Sequence, residues 1–326
     1  MGIVSARLAH RMTRLIILCA AFVIPLVFYL NGNEAFETPK SFALRSLGLA
    51  AAAALLWRGR SLRSHLAGGA ALFFAACILS TPRTPLATAS VERLFELGAL
   101  IVLAVSAEAG LVPADALLGT VLLSHFGVTL YGGLQYLGVD WINWTSFGDN
   151  RVYSTIGNPD YLGQQSSFLL PVMLGLLLGD RGGSWRILMT ACIALALPSV
   201  FYTGSRGGLL ALFTSIPVFT WLAYRTVYRG TASFWSFLRA VRWWVAAVAG
   251  VIVLVIALLP TSRNLGERFK EFLDPVRSSS IQTRFFYWYS GWLMGTDYHR
   301  TEMASPLAVA GSGIGAFHLA GARRQG

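Results

Sequence analysis

Apolar runs of bilayer length, separated by short breaks that carry arginine, constrain this chain more than any other feature. About 20 apolar residues in a helix match the hydrocarbon thickness of a membrane. In lipid, only helices and closed barrels satisfy their own backbone groups. Nine such segments are read along the sequence: 15–30, 41–57, 66–80, 91–107, 117–137, 161–179, 187–202, 208–224 and 243–259. The breaks hold Asn-Gly, Thr-Pro, Gly-Asp and Gly-Gly pairs and arginine clusters, the usual punctuation between helices. Composition agrees: 55% hydrophobic residues, 13% charged and a mean hydropathy of +0.58 exceed what a soluble core of 326 residues can bury. The expected fold is an all-α polytopic membrane protein, with 1–259 as the transmembrane domain and 260–326 as a partial outer-face segment. Intrinsic disorder and a disulfide-built secreted scaffold are excluded.

The net charge of +11 does not point to nucleic acid, because the basic residues fall between apolar runs and not along one face. With the N-terminus inside, the inner segments carry twelve arginines: Arg7, Arg11, Arg14, Arg58, Arg60, Arg63, Arg181, Arg186, Arg225, Arg229, Arg239 and Arg242. The outer loops carry five basic residues, Lys40, Arg83, Arg93, Arg151 and Arg206. That asymmetry obeys the positive-inside rule. An odd number of spans then puts residues 260–326 outside, which is the periplasm of a diderm bacterium. The first run is not a cleavable signal peptide, since no small-residue cleavage site follows it. Cys19, Cys77 and Cys192 each sit inside an apolar run with no partner at metal spacing, and read as small packing residues.

Several chemistries are excluded by motif. The chain has no Asp-x-Asp pair, no His-Glu-x-x-His and no phosphate-binding P-loop. Gly311-Ser312-Gly313-Ile314-Gly315-Ala316 matches the loose dinucleotide fingerprint but has no room for a ribose-binding acid after it. No metal and no cofactor are expected.

Two loops are more informative. Gly157-Asn158-Pro159-Asp160-Tyr161-Leu162-Gly163 opens the sixth span, with Asn158 and Asp160 both suited to cap it and Pro159 suited to its first turn. It serves as a turn and cap, or as a helix N-terminus that meets an anion. Thr203-Gly204-Ser205-Arg206-Gly207-Gly208 joins the seventh and eighth spans by a tight hairpin, which holds Arg206 at or just above membrane depth. An arginine there either reaches lipid phosphate or binds an anion in the protein interior. The second role is expected. The substrate-binding residues are then Gly157, Asn158, Tyr161, Gly204, Ser205 and Gly207, with Arg206 as the reactive cation.

Taken in order, GNPDYLG, TGSRGGLL and TRFFYWYSGWLM followed by SPLAVAGSGIGAF resemble the bacterial O-antigen ligase and O-antigen polymerase superfamily. The resemblance covers Gly157 to Phe317, with Arg284, Pro306, the 311–315 glycine run and Phe317 matching the family's last segment. It implies transfer of a glycan from undecaprenyl diphosphate to a hydroxyl of an acceptor lipid, glycan or protein, on the outer face of the inner membrane. It also implies that Arg206 and Arg284 are the two essential arginines. The chemistry needs cations near the diphosphate oxygens and a base near the acceptor hydroxyl. The family's functional His lies beyond the glycine-rich turn, ahead of further spans. His299 and His318 do not stand in that context, so the chain is expected to be a fragment. The competing expectations are a transporter of lipid-linked saccharide and an inactive remnant. Membrane lipids are expected partners and nucleic acid is not.

Overall fold

A computed structural model describes residues 3–30, 34–58, 64–81, 87–142, 151–179 and 182–227, together with Trp235, Ser236, Arg239, Arg242, Gly250, Phe285, Phe286, Trp288 and Tyr289. Among the described residues the chain is helical and has no strand. The helices are α1 (Ile3–Leu26), α2 (Glu37–Arg58), α3 (Leu66–Ser80), α4 (Ala87–Ser106), α5 (Ala114–Tyr136), α6 (Pro159–Leu178), α7 (Gly183–Tyr202) and α8 (Arg206–Val227). A short π-helical turn, Ala107–Leu111, follows α4, and a 3-10 turn, Ser154–Ile156, precedes α6.

Each of the first eight expected spans overlaps one of these helices, yet among the described residues six helices are long and apolar enough to cross a membrane. The chain is a multi-pass helical membrane protein. The two that fall short do so for different reasons. Helix α2 has the length, but its alanine-rich sequence carries Lys40, Arg45 and Arg58. Helix α3 has 15 residues, about 22 Å of helix against about 30 Å of hydrocarbon. The ninth expected span, 243–259, lies outside the described residues apart from Gly250. So do Arg284, Pro306, the 311–315 run, Phe317, His299 and His318.

The first helix departs from its expected bounds at both ends. It begins at Ile3, because Arg7, Arg11 and Arg14 continue the helix beyond the apolar run. It ends at Leu26 and not at residue 30. Pro25 lies in its last turn, and the carbonyl of Pro25 accepts the Thr155 hydroxyl at 2.9 Å. The chain then turns back, Tyr29 N donating to Ala35 O at 2.8 Å.

The fold divides into two compact units. Among the described residues, one contains 3–24 and 38–118, the other 25–37 and 119–227. In the first, Ile17 and Ala20 of α1 pack with Ala51 of α2, Leu103 of α4, and Leu111 and Val112. Gly48 lets α2 cross directly over Ala99 of α4, where any side chain would overlap the alanine. The charges near that crossing are paired: Arg45 Nη2 lies 2.8 Å from Glu96 Oε1, and Arg93 Nη1 lies 2.8 Å from the other Glu96 oxygen. In the second unit α6 packs on α7 and α8. Ser166 and Ser199 meet at 2.6 Å between α6 and α7, both fully buried. Pro171 removes the donor to the Ser167 carbonyl, and Ser215 of α8 approaches that oxygen at 3.5 Å. Such side-chain repair is how a membrane helix tolerates proline.

Candidate functional site

The start of α6, the end of α7 and the start of α8 meet at one end of the second unit. Gly157 opens the construction. Its φ of +82° is left-handed, and a Cβ there would strike the Phe36 ring, so both conformation and space require glycine. Asn158 follows in extended backbone (φ −145°, ψ 120°), and its side chain accepts from Asp160 N at 2.8 Å. Asn158 is therefore the cap, with Pro159 in the first helical position.

Capping by Asn158 leaves the Asp160 carboxylate for another partner. Arg151 Nη2 donates to Asp160 Oδ1 at 2.7 Å, and Arg151 Nε donates to Thr203 O at 2.9 Å. The Thr203 carbonyl belongs to the C-terminal end of α7, where a cation is favoured by the macrodipole. One guanidinium thus ties the N-terminus of α6 to the C-terminus of α7. Asp160→Asn is expected to cost about 1.5 kcal/mol, the scale of a hydrogen bond to a charged group. Arg151→Gln should add little on top of it. Strictly additive losses in a double-mutant cycle, read from unfolding in detergent, would reject the pairing.

The hairpin between α7 and α8 is built on Gly204 at φ +59°, whose N–H donates to Phe201 O at 2.9 Å. Ser205 then caps α8, accepting from Gly208 N at 3.1 Å, and its hydroxyl lies 3.5 Å from Asp160 O. Beneath this, Gly163 and Gly208 bring the two backbones together, and Ser167 Oγ lies 2.7 Å from Gly208 O and 2.9 Å from Gly163 O. Gly207 faces the side-chain amide of Gln164. Arg206, half-buried, is the first residue of α8. A cation at a helix N-terminus opposes the macrodipole by about 0.3–1 kcal/mol, a cost that an arriving anion reverses.

The structure thus brings Gly157, Asn158, Gly204, Ser205, Arg206 and Gly207 into one interlock. Tyr161, expected among the binding residues, is 60% exposed. Arg284 lies outside the described residues. Sequence reasoning did not single out the supports of the site. Gln135 of α5 accepts from Ser154 N at 2.8 Å and donates to Asp140 at 2.9 Å, while Tyr131 OH donates to Asp140 at 3.0 Å. These bonds hold Ser154 at φ +52°, the only left-handed non-glycine among the described residues. Burial, with the Asp140 charge nearby, pushes the Tyr153 phenol above its usual range. No local motif announces this network, since its partners lie 19 residues apart across a loop. Among the described residues no three His, Cys, Asp or Glu side chains converge as metal ligands. No family model, curated protein or solved structure matches the chain, so the geometry of the interlock carries the functional reading.

Proposed function

We propose that the chain transfers a glycan from undecaprenyl diphosphate to an acceptor hydroxyl on the periplasmic face of a bacterial inner membrane. The reaction is that of an inverting, metal-independent, O-antigen ligase-like glycosyltransferase. One observation supports this reading above the others: two parallel helix starts, those of α6 and α8, lie side by side, with Arg151 paired to Asp160 at the first and Arg206 as the opening residue of the second. Like ends of two macrodipoles repel, and an anion set between them relieves the repulsion. A diphosphate also suits the planar fork of arginine.

In this reading Arg206 grips the diphosphate and Arg284 brings a second guanidinium to it. The acceptor hydroxyl attacks the anomeric carbon from the opposite side. The bond from that carbon to the diphosphate oxygen breaks, the hydroxyl proton passes to a base, and undecaprenyl diphosphate leaves with its charge held by the arginines. The direct test is binding of undecaprenyl diphosphate to the protein in nanodiscs, competed by inorganic diphosphate. Binding that Arg206→Ala leaves untouched would refute the role. A transporter of lipid-linked saccharide is the second reading, favoured by the buried His125 at the midpoint of α5. Movement of the carrier across the bilayer with its glycosidic bond intact would select it.

The proposal also needs the interlock outside, in a nine-span chain with its N-terminus inside. A cysteine placed at Ser279 should then react with an impermeant maleimide from the outer face, and one placed at Ser61 should not. The reverse pattern would overturn the orientation.

A further inference from the structure

His125 sits at the midpoint of α5, fully buried, and among the described residues neither Nδ1 nor Nε2 has a hydrogen-bond partner. A neutral imidazole presents one N–H and one bare nitrogen. Leaving such a group unmet costs about 1–3 kcal/mol. Buried polar groups in native proteins are met by protein or by ordered water almost without exception. An ionisable residue inside a span is, by default, a functional one.

Buried hydroxyls stand about one helical turn from the level of His125, Thr129 on α5 and Ser199 on α7. The stripe of His125 on α5 runs through Leu122, His125, the adjacent pair Val128 and Thr129, and Gly132, all buried and on one face at helical spacing. Two contacts fix this stripe against α7: Cys192 Sγ lies 3.7 Å from Leu122 O, and Tyr202 OH donates to Thr129 O at 3.3 Å. Both helices advance in the same direction between those contacts, which sets His125 near the level of Ala196, a small buried side chain. One turn further along α7 comes Ser199, joined to Ser166 of α6 at 2.6 Å. Thr129 lies one turn further along α5, and beyond it Ser154 donates to Val128 O at 2.6 Å. The formal charges of α5, α6, α7 and α8 stay near helix ends, at Asp115, Asp160, Arg186, Arg206 and Arg225. Apart from the imidazole, the titratable groups along this seam among the described residues include the Cys192 thiol, the Tyr202 phenol and the phenol of Tyr136, which stacks on Tyr202 at 5.2 Å.

We propose that His125 is the centre of an intramembrane hydration site, where water entering at the level of Ala196 passes protons between the imidazole and the buried hydroxyls of Thr129, Ser166 and Ser199. A proton taken up at one ring nitrogen is matched by one released from the other. The ring ends neutral, with its tautomer exchanged. This role is independent of glycan transfer and stands or falls without it.

The test uses the full-length protein in nanodiscs with 15N-labelled histidine, the His125 signals being assigned by their loss in His125→Gln. The expected result is exchange of the ring N–H with solvent within seconds, with magnetisation transfer from water to the ring. An N–H protected from deuterium for hours overturns the proposal, whatever the variants show. Thermal unfolding gives a second check of opposite sign for the two cases. Filling a dry site with Phe removes an unmet polar group and raises Tm. In a hydrated site His125→Phe strands the water and its hydroxyl partners, and lowers Tm by about 2–4 °C for each kcal/mol lost.

Discussion

Arg206→Lys is expected to lower glycan transfer by the full-length protein about 100-fold, the scale seen when one donor to a developing negative charge is lost. The charge is kept, but the ammonium is a point donor and cannot fork across two diphosphate oxygens. Arg206→Ala should lose more, about 1,000-fold. Stability should move differently. Arg206 is the first residue of α8, so its removal relieves about 0.3–1 kcal/mol of unfavourable interaction with the macrodipole and offsets what its local contacts contribute. Activity therefore falls steeply while Tm stays close to that of the parent, the pattern of a residue kept for function at the expense of stability. Transfer measured with labelled donor, beside a melting curve of each variant, separates the roles. Full transfer by Arg206→Ala sinks the assignment, and parallel loss of transfer and Tm makes Arg206 structural.

The helices were legible because burial in lipid writes itself into long apolar runs, and the eight described helices stand where those runs lie. Sequence and structure part where local chemistry offers two choices on equal terms. Asn158 and Asp160 both suit a cap; the choice fell to Asn158 because Arg151 claims the Asp160 carboxylate, and Arg151 arrives from an earlier loop. Hydropathy continues past Pro25 and carries the expected end of α1 to residue 30, whereas the backbone turns after Leu26 to meet Thr155, which lies 130 residues away. Both loop motifs, 157–163 and 203–208, are visible in the sequence, but their contact is not. It depends on Gly163 and Gly208, which alter no hydropathy and declare nothing until two helices cross at them. His125 carries no motif around it in the sequence, and two of the hydroxyls in its proposed site, Ser166 and Ser199, come from other helices.

Gly208→Leu is expected to destabilise the protein by about 3 kcal/mol, at the upper end of overpacking in a tight core, while Gly207→Ala beside it is tolerated. The two glycines are adjacent on α8 and differ in what they face. A Cβ on Gly208 would lie 2.8 Å from the Gly163 carbonyl carbon and 3.0 Å from its oxygen, both backbone atoms of α6 that no rotamer change can move. Adding a side chain must drive α6 and α8 apart. That separation also draws Gly208 O away from Ser167 and opens the approach of Ser205 to Asp160. A Cβ on Gly207 would come 2.9 Å from Gln164 Nε2, the end of a flexible side chain that can turn aside. There the gain in helix propensity, about 0.8–1 kcal/mol for Gly→Ala, is kept. At Gly208 the same gain is overwhelmed. Because the two helix starts on either side of this crossing form the proposed anion site, Gly208→Ala, the milder change, should weaken diphosphate binding while most of the protein still folds. Equal melting temperatures for Gly208→Leu and the parent, or a greater loss in Gly207→Ala, would show that α6 and α8 do not cross at these glycines.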